Sequence, residues 1–151
     1  VIARRAGAAL ALIAVILLVL AEVTTVFEVT VGSLDVVKRG GTGGENHGYA
    51  LLIVGVVALA MTLLALRGRG RAPAVALVAL GAAALAIALL LDLPDTRASG
   101  RLPEALAYEN AQSHARTGFT LELLGGGLLC VAGGVLLVGG ALLHRGPVDR
   151  T

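Results

Sequence analysis

The sequence predicts an all-α integral membrane protein, a four-transmembrane-helix bundle with a small outward-facing region, and three observations carry that expectation. The first is composition: 57% of the 151 residues are hydrophobic, only 15% are charged, and the mean hydropathy is +0.90. Soluble domains run at about 45–50% apolar and about 25% charged. So short a chain leaves too much surface exposed to hide that excess from water. The second is segregation, with the apolar residues gathered into four stretches nearly free of charge: Ala6–Val26, Tyr49–Leu66, Ala74–Leu91 and Phe119–Leu143. A helix needs roughly 17–25 such residues to cross a bilayer. In hydrocarbon every backbone N–H and C=O must be paired within its own segment, which dictates helices. The alternating in–out signature of a membrane β-barrel is missing.

The third observation is the placement of basic residues in the short connections, which orients membrane helices toward the cytoplasm. Arg4 and Arg5 precede the first span, Arg67, Arg69 and Arg71 fill the loop 67–73, and His144 and Arg145 follow the fourth. With four crossings these places share one side, so both termini are expected in the cytoplasm of a multi-pass inner (plasma) membrane protein. The longer loops, 27–48 and 92–118, then face outward. Their Lys38, Arg39, Arg97, Arg101 and Arg116 are diluted by seven acids from Glu28 to Glu109. Arginine-, alanine- and glycine-rich usage points to a GC-rich bacterial genome.

Each segment has its own logic. Arg4-Arg5 followed by an apolar run and Val19-Leu20-Ala21 is also the pattern of a cleavable signal peptide. Apolar character continuing through Val23 and Val26 favours a retained span. In the first outer loop Phe27, Val29 and Val31 alternate with Glu28 and Thr30, the period-two pattern of a half-exposed strand. Gly32-Ser33 is a candidate turn into Leu34–Val37, giving a short β-hairpin. The following Lys38–Gly44 run is too glycine-rich to hold structure alone. It lacks the spacing of a phosphate-binding loop. In the second outer loop Pro94 is expected to stop the third helix and Pro103 to open another. Ala105, Tyr108, Ala111, Ala115 and Phe119 then form a helical stripe, an amphipathic helix lying on the membrane surface or capping the bundle.

The fourth span carries the clearest pattern inside the membrane. Gly126, Gly133 and Gly140 recur every seven residues, and Gly127 and Gly134 repeat that register one position along. Such a repeat keeps small residues on one stripe, and small residues let helix backbones approach closely. Gly7, Ala14 and Ala21 in the first span, and Ala72, Ala79 and Ala86 in the third, are the matching surfaces. The stripe serves packing within the chain, a homo-oligomer or a membrane-protein partner.

The candidate polar site is made of acids at similar depth: Glu22 near the outer end of the first span, Asp92 at the end of the third, and Glu122 entering the fourth. Acids in membranes cost about 2.5–3.5 kcal/mol at mid-depth and usually mark function. Near the interface they snorkel toward water at lower cost. Arg116, Arg97 and His114 in the loop above are the candidate partners for Glu122.

Other chemistry is sparse. Cys130 is the single cysteine, so no internal disulfide or cysteine metal site forms. His47, His114 and His144 lie outside the spans, which excludes an intramembrane bis-histidine haem. No catalytic set, cofactor site, metal site or nucleic-acid-binding feature is expected.

The layout is similar to that of claudin-like four-helix membrane proteins, with a strand-bearing first outer loop, a short basic cytoplasmic turn and a smaller second outer loop. The resemblance covers topology and implies a bundle that presents an outer region. The tryptophan and paired cysteines those proteins carry in the first loop are absent, so no functional residue is carried over. Small multidrug transporters likewise place a glutamate in their first helix, deeper than Glu22 and among aromatics. The leading expectation is therefore a non-enzymatic structural or interaction subunit in the lipid bilayer, presenting its outer loops to a partner or to itself. The alternative is a small transporter or ion-conducting protein using the outer acids.

Overall fold

The computed structural model describes residues 2–31, 38–39, 41–68, 71–100 and 111–143. Helix α1 (Ile2–Val23) turns its small and apolar residues Gly7, Ala11, Ala14, Leu18 and Ala21 inward at alternating spacings of three and four. It ends where Thr24 Oγ1 donates to Leu20 O at 2.9 Å and Ala21 O at 3.2 Å. Val26, expected within the span, lies beyond the helix and leads into strand β1 (Phe27–Val31).

The return strand β2 is Lys38–Arg39, paired antiparallel through Glu28 opposite Arg39 and Val29 opposite Lys38. The expected return segment Leu34–Val37 lies outside the described residues. The end of the glycine-rich run is not structureless, because Gly43–His47 form a short helix, α2. Its start is fixed by Thr42 N–H donating to Glu45 Oε2 at 3.0 Å, half of a capping box. Gly48 (φ 60°) and Tyr49 (φ 63°), both left-handed, end α2 and swing the chain into α3 (Ala50–Leu66).

At the far end of α3, Arg4 Nε and Nη2 donate to Ala65 O at 3.0 and 2.7 Å, and Nη2 also donates to Leu66 O. The guanidinium thereby satisfies carbonyls that a helix C-terminus otherwise leaves open. Helix α4 (Ala72–Ile87) opens with Pro73 in its first turn and continues into a π-helical turn, Ala88–Asp92, then α5 (Leu93–Thr96). Pro94 does not stop the helix at Asp92. The wide turn, in which Leu93 N–H donates to Ala88 O, accommodates it, replacing bonding that a proline interrupts in a regular helix.

Strand β3 (Ser99–Gly100) and strand β4 (Ala111–Ala115) precede the long α6 (Thr117–Leu143). The amphipathic helix expected across the second outer loop is corrected here: Ala111–Ala115 is a strand. Its Ala111 and Ser113 are buried while Gln112 and His114 are exposed. Positions 101–110 of that expected helix lie outside the described residues. The four strands form an antiparallel sheet in the order β2-β1-β4-β3, with Phe27 opposite Ala115 and Val31 opposite Ala111. The first and second long loops are thus joined through their strands.

Helix α1 packs against α6 and α3, and α4 packs against the same two helices. Their shared core is Ala11, Ala14, Leu18, Leu51, Ala58, Leu77, Ala84, Leu129 and Ala132. A second core of Val26, Phe27, Val29, Ala88, Ala111 and Phe119 seats the sheet on one end of the helices. At that junction Gly118 is required, because a Cβ there would lie 2.8 Å from Thr25 O.

Three helical runs are long and apolar enough to cross a membrane: Ile2–Val23, Ala72–Thr96 and Thr117–Gly139. Helix α3 is equally apolar but has 17 residues, about 26 Å of helix against a hydrocarbon core of about 30 Å. Ile53, Val56, Leu90 and Val138 are each more than 60% exposed. Apolar outer faces of this extent suit lipid rather than water.

Candidate functional site

The glycine pattern of α6 resolves into three faces. A Cβ on Gly126 would meet Leu85 and Gly81 O at 3.0–3.2 Å, and one on Gly133 would meet Val78 Cγ2 at 2.6 Å and Ala74 O at 2.7 Å. These two glycines take the backbone of α4. Gly125 faces α1, with Leu18 Cδ2 at 2.8 Å from a would-be Cβ. Gly127 and Gly134, expected to pack alongside, have nothing within 4 Å of a Cβ; they take no part in packing within the chain. The side of Gly140 lies outside the described features. On α1 the expected Gly7, Ala14 and Ala21 are buried. On α4 the expected Ala72, Ala79 and Ala86 are exposed, and Ala74, Leu77, Gly81 and Ala84 line the contact instead.

All three acids are buried, and Asp92 and Glu122 come together with His47. Glu22 sits on the buried face of the last turn of α1 and is 3% exposed. Its Oε1 accepts the N–H of Leu52 at 3.0 Å. That donor is one of those a helix leaves open in its first turn, and Tyr49 at the cap position offers no side-chain acceptor. The positive end of the α3 dipole also favours a carboxylate there. Glu22 Oε2 has no hydrogen-bond partner.

Asp92 closes the π-helical turn and is 1% exposed, while Leu89, Leu90 and Leu91 of the same turn face outward. Its Oδ2 and Oδ1 lie 3.0 and 3.2 Å from His47 Nε2. Glu122, one turn and a half into α6, is fully buried, and neither carboxylate oxygen has a hydrogen-bond partner. Its Oε1 is 3.8 Å from the same His47 Nε2. Native structures pair nearly all buried polar atoms, and the group nearest to pairing with Glu122 is the carboxyl of Asp92.

None of the partners expected for Glu122 reaches it. Arg116 pairs with Glu28 of β1, while Arg97 and His114 are exposed. His114 stands opposite Glu28 in the β1–β4 register. The base supplied instead is His47, whose side chain is 4% exposed. The capping-box pattern Thr42-x-x-Glu45 was the available signal that the loop turns helical just before it. Gly43 is essential to the approach: a Cβ there would lie 3.1 Å from Ala21 O and 3.4 Å from Glu122 Oε1.

His47, Asp92 and Glu122 each present one ligand atom, all within 4.8 Å of one another. Chemically this is a buried group of one imidazole and two carboxyls, with the buried acid Glu22 on α1 besides. Among the described residues no lysine or arginine pairs with it. Comparison with protein-family models, with curated proteins and with solved structures returns no match.

Proposed function

We propose that this is a four-span membrane protein, non-enzymatic, that binds a cation at the Glu22–His47–Asp92–Glu122 cluster and passes it between the membrane and the sheet-bearing side. The observation that carries the proposal is Glu122, a fully buried carboxylate with neither oxygen partnered, beside a second buried acid and an imidazole. Removing several charges from water is costly unless they are paired, and a cation supplies the missing partner.

The π-helical turn at Asp92 adds weight. Such bulges recur at functional sites, and interrupted helices recur at the ion sites of transporters. In this arrangement α3 is the fourth crossing, reaching membrane thickness with its flanking Tyr49 and Arg67. The Arg4, Arg67 and Arg71 end is cytoplasmic by the positive-inside rule, and the sheet is outside. A second role has specific support of its own. The two long loops build one four-stranded sheet on an end of the helices, a surface that a partner or another copy of the chain could take.

The test is flux in reconstituted vesicles under imposed proton, sodium and divalent-cation gradients. Wild-type protein should move at least one of these ions, and Glu122→Gln, equal in size but uncharged, should abolish that movement while remaining folded. Wild-type protein silent toward every ion would remove transport and leave the interaction role.

A further inference from the structure

We propose that the ion taken by the cluster is a divalent transition-metal ion, ligated by His47 Nε2 and the carboxylates of Asp92 and Glu122. This rests on the cluster being a cation site, though not on the ion crossing the membrane. Donor chemistry is the first argument. Sodium, calcium and magnesium are hard cations that take oxygen ligands, calcium about 6–8 of them. An imidazole nitrogen combined with carboxylates suits zinc, iron and their neighbours.

Spacing is the second argument. Metal–ligand bonds of about 2.0–2.2 Å in a tetrahedral shell place neighbouring donors roughly 3.3–3.5 Å apart. His47 Nε2 stands 3.0 and 3.2 Å from the Asp92 oxygens and 3.8 Å from Glu122 Oε1. The His47 distances bracket the required value, and the Asp92 and Glu122 donors lie within 4.8 Å of each other, so rotation of the two carboxylates is the movement that brings the three donors onto one centre.

Charge is the third argument. A doubly charged ion offsets both ligating carboxylates, Asp92 and Glu122, whereas a monovalent ion offsets one; the third buried acid, Glu22, has the Leu52 N–H as its partner. Two arrangements compete: a protonated His47 on Asp92, which leaves Glu122 without a partner, and a proton shared between the neighbouring Glu122 and Asp92 carboxyls, which the binding experiment below separates from a metal. Glu22 stays on the Leu52 N–H through Oε1 and is not one of the ligands. The three ligands come from α2, the π-helical turn and α6. An ion there would fasten α2 to the helices.

The test uses the full chain in detergent, stripped with chelator, then titrated calorimetrically with Zn²⁺, Mn²⁺, Mg²⁺, Ca²⁺ and Na⁺. We expect one equivalent of Zn²⁺, bound at least ~100-fold more tightly than Mg²⁺ or Ca²⁺, as the nitrogen-containing donor set requires. His47→Gln and Glu122→Gln should each lose that binding, while His114→Gln, which alters an exposed histidine on β4, should keep it. X-ray absorption of zinc-loaded wild-type protein needs no variant, and should show a nitrogen–oxygen shell with imidazole scattering and no sulfur.

A sulfur ligand, which would implicate Cys130, overturns the assignment, as does equal loss with His114→Gln. Sodium or proton binding that depends on Glu122, without zinc binding, overturns the metal assignment and leaves the cation site standing. A proton shared between Asp92 and Glu122 would produce that result. Zinc binding without flux supports the assignment and removes only the transport step.

Discussion

Adjacent glycines on α6 offer the sharpest test of how the helices fit together. Gly133 and Gly134 are one residue apart, a rotation of about 100° on a helix. A methyl group on Gly133 would stand 2.6 Å from Val78 Cγ2, 2.7 Å from Ala74 O and 2.9 Å from Val78 N. Two of those three atoms are backbone, so no rotamer change relieves the clash and α4 must move away. Overpacking of this kind costs about 1–3 kcal/mol. Alanine regains roughly 0.5–1 kcal/mol over glycine in a helix interior, which offsets part of that cost.

Gly133→Ala should therefore destabilise by about 0.5–2 kcal/mol. Gly134→Ala, with nothing within 4 Å of its Cβ, should keep the whole helix gain and be neutral to slightly stabilising. Reversible unfolding in mixed micelles, run side by side, reads the difference. Gly133→Leu should be worse still, and Val138→Leu on an outward face mild. Equal stability of Gly133→Ala and Gly134→Ala would refute the placement of α6 against α4.

Three further outcomes follow from individual contacts. Glu22→Ala removes the acceptor for Leu52 N–H and should cost about 1–3 kcal/mol with faster hydrogen exchange at that amide. Glu22→Gln, which keeps a carbonyl oxygen, should restore both. Arg116→Ala strands a Glu28 side chain that is only 10% exposed, whereas Glu28→Gln leaves Arg116 half in water. The first should lower stability more than the second, and the reverse order in thermal unfolding would count against the pairing. An export-dependent reporter inserted in the Arg67–Arg71 turn should be inactive, and the same reporter between Gly32 and Ser33 active, if four crossings hold.

The helices are legible because long uncharged apolar runs, visible directly in the sequence, are what a membrane-crossing helix requires, and three of the helical runs are long and apolar enough for that. Their inner faces were legible only in part. The seven-residue glycine repeat identified α6 as a close-packing helix, but two rows one residue apart satisfy the same period. Which row meets α4 depends on the rotation of the whole helix. The same ambiguity puts Ala72, Ala79 and Ala86 on the expected contact face of α4, two positions before the buried Ala74 and Gly81. The second outer loop was misjudged for a different reason. Alanines at 111 and 115 fit a helical stripe, but Ala111 and Ser113 alternate just as well with Gln112 and His114. What decides between the two is β1, some eighty residues earlier, whose open edge supplies partners for the backbone of β4.

The site shows the same dependence at higher stakes. Glu22, Asp92 and Glu122 stand out in the sequence because charge is conspicuous against an apolar background, and of the three it is Asp92 and Glu122 that come together. His47 was invisible by that logic: it sits in a polar, glycine-rich stretch where a histidine attracts no notice. Its place is set by a succession of local facts. Thr42 and Glu45 start a helix; Gly43 lets that helix lie against Ala21 and Glu122; and left-handed Gly48 and Tyr49 end it after His47. Asp92 is brought to meet it by a turn widened just ahead of Pro94, where a regular helix would have ended or kinked. Of these, left-handed Tyr49 and the π-helical turn depart from ordinary geometry. Both act on the elements that deliver His47 and Asp92 to one point beside Glu122, and departures of that kind accord with the proposed site, since natural proteins concentrate them at functional positions.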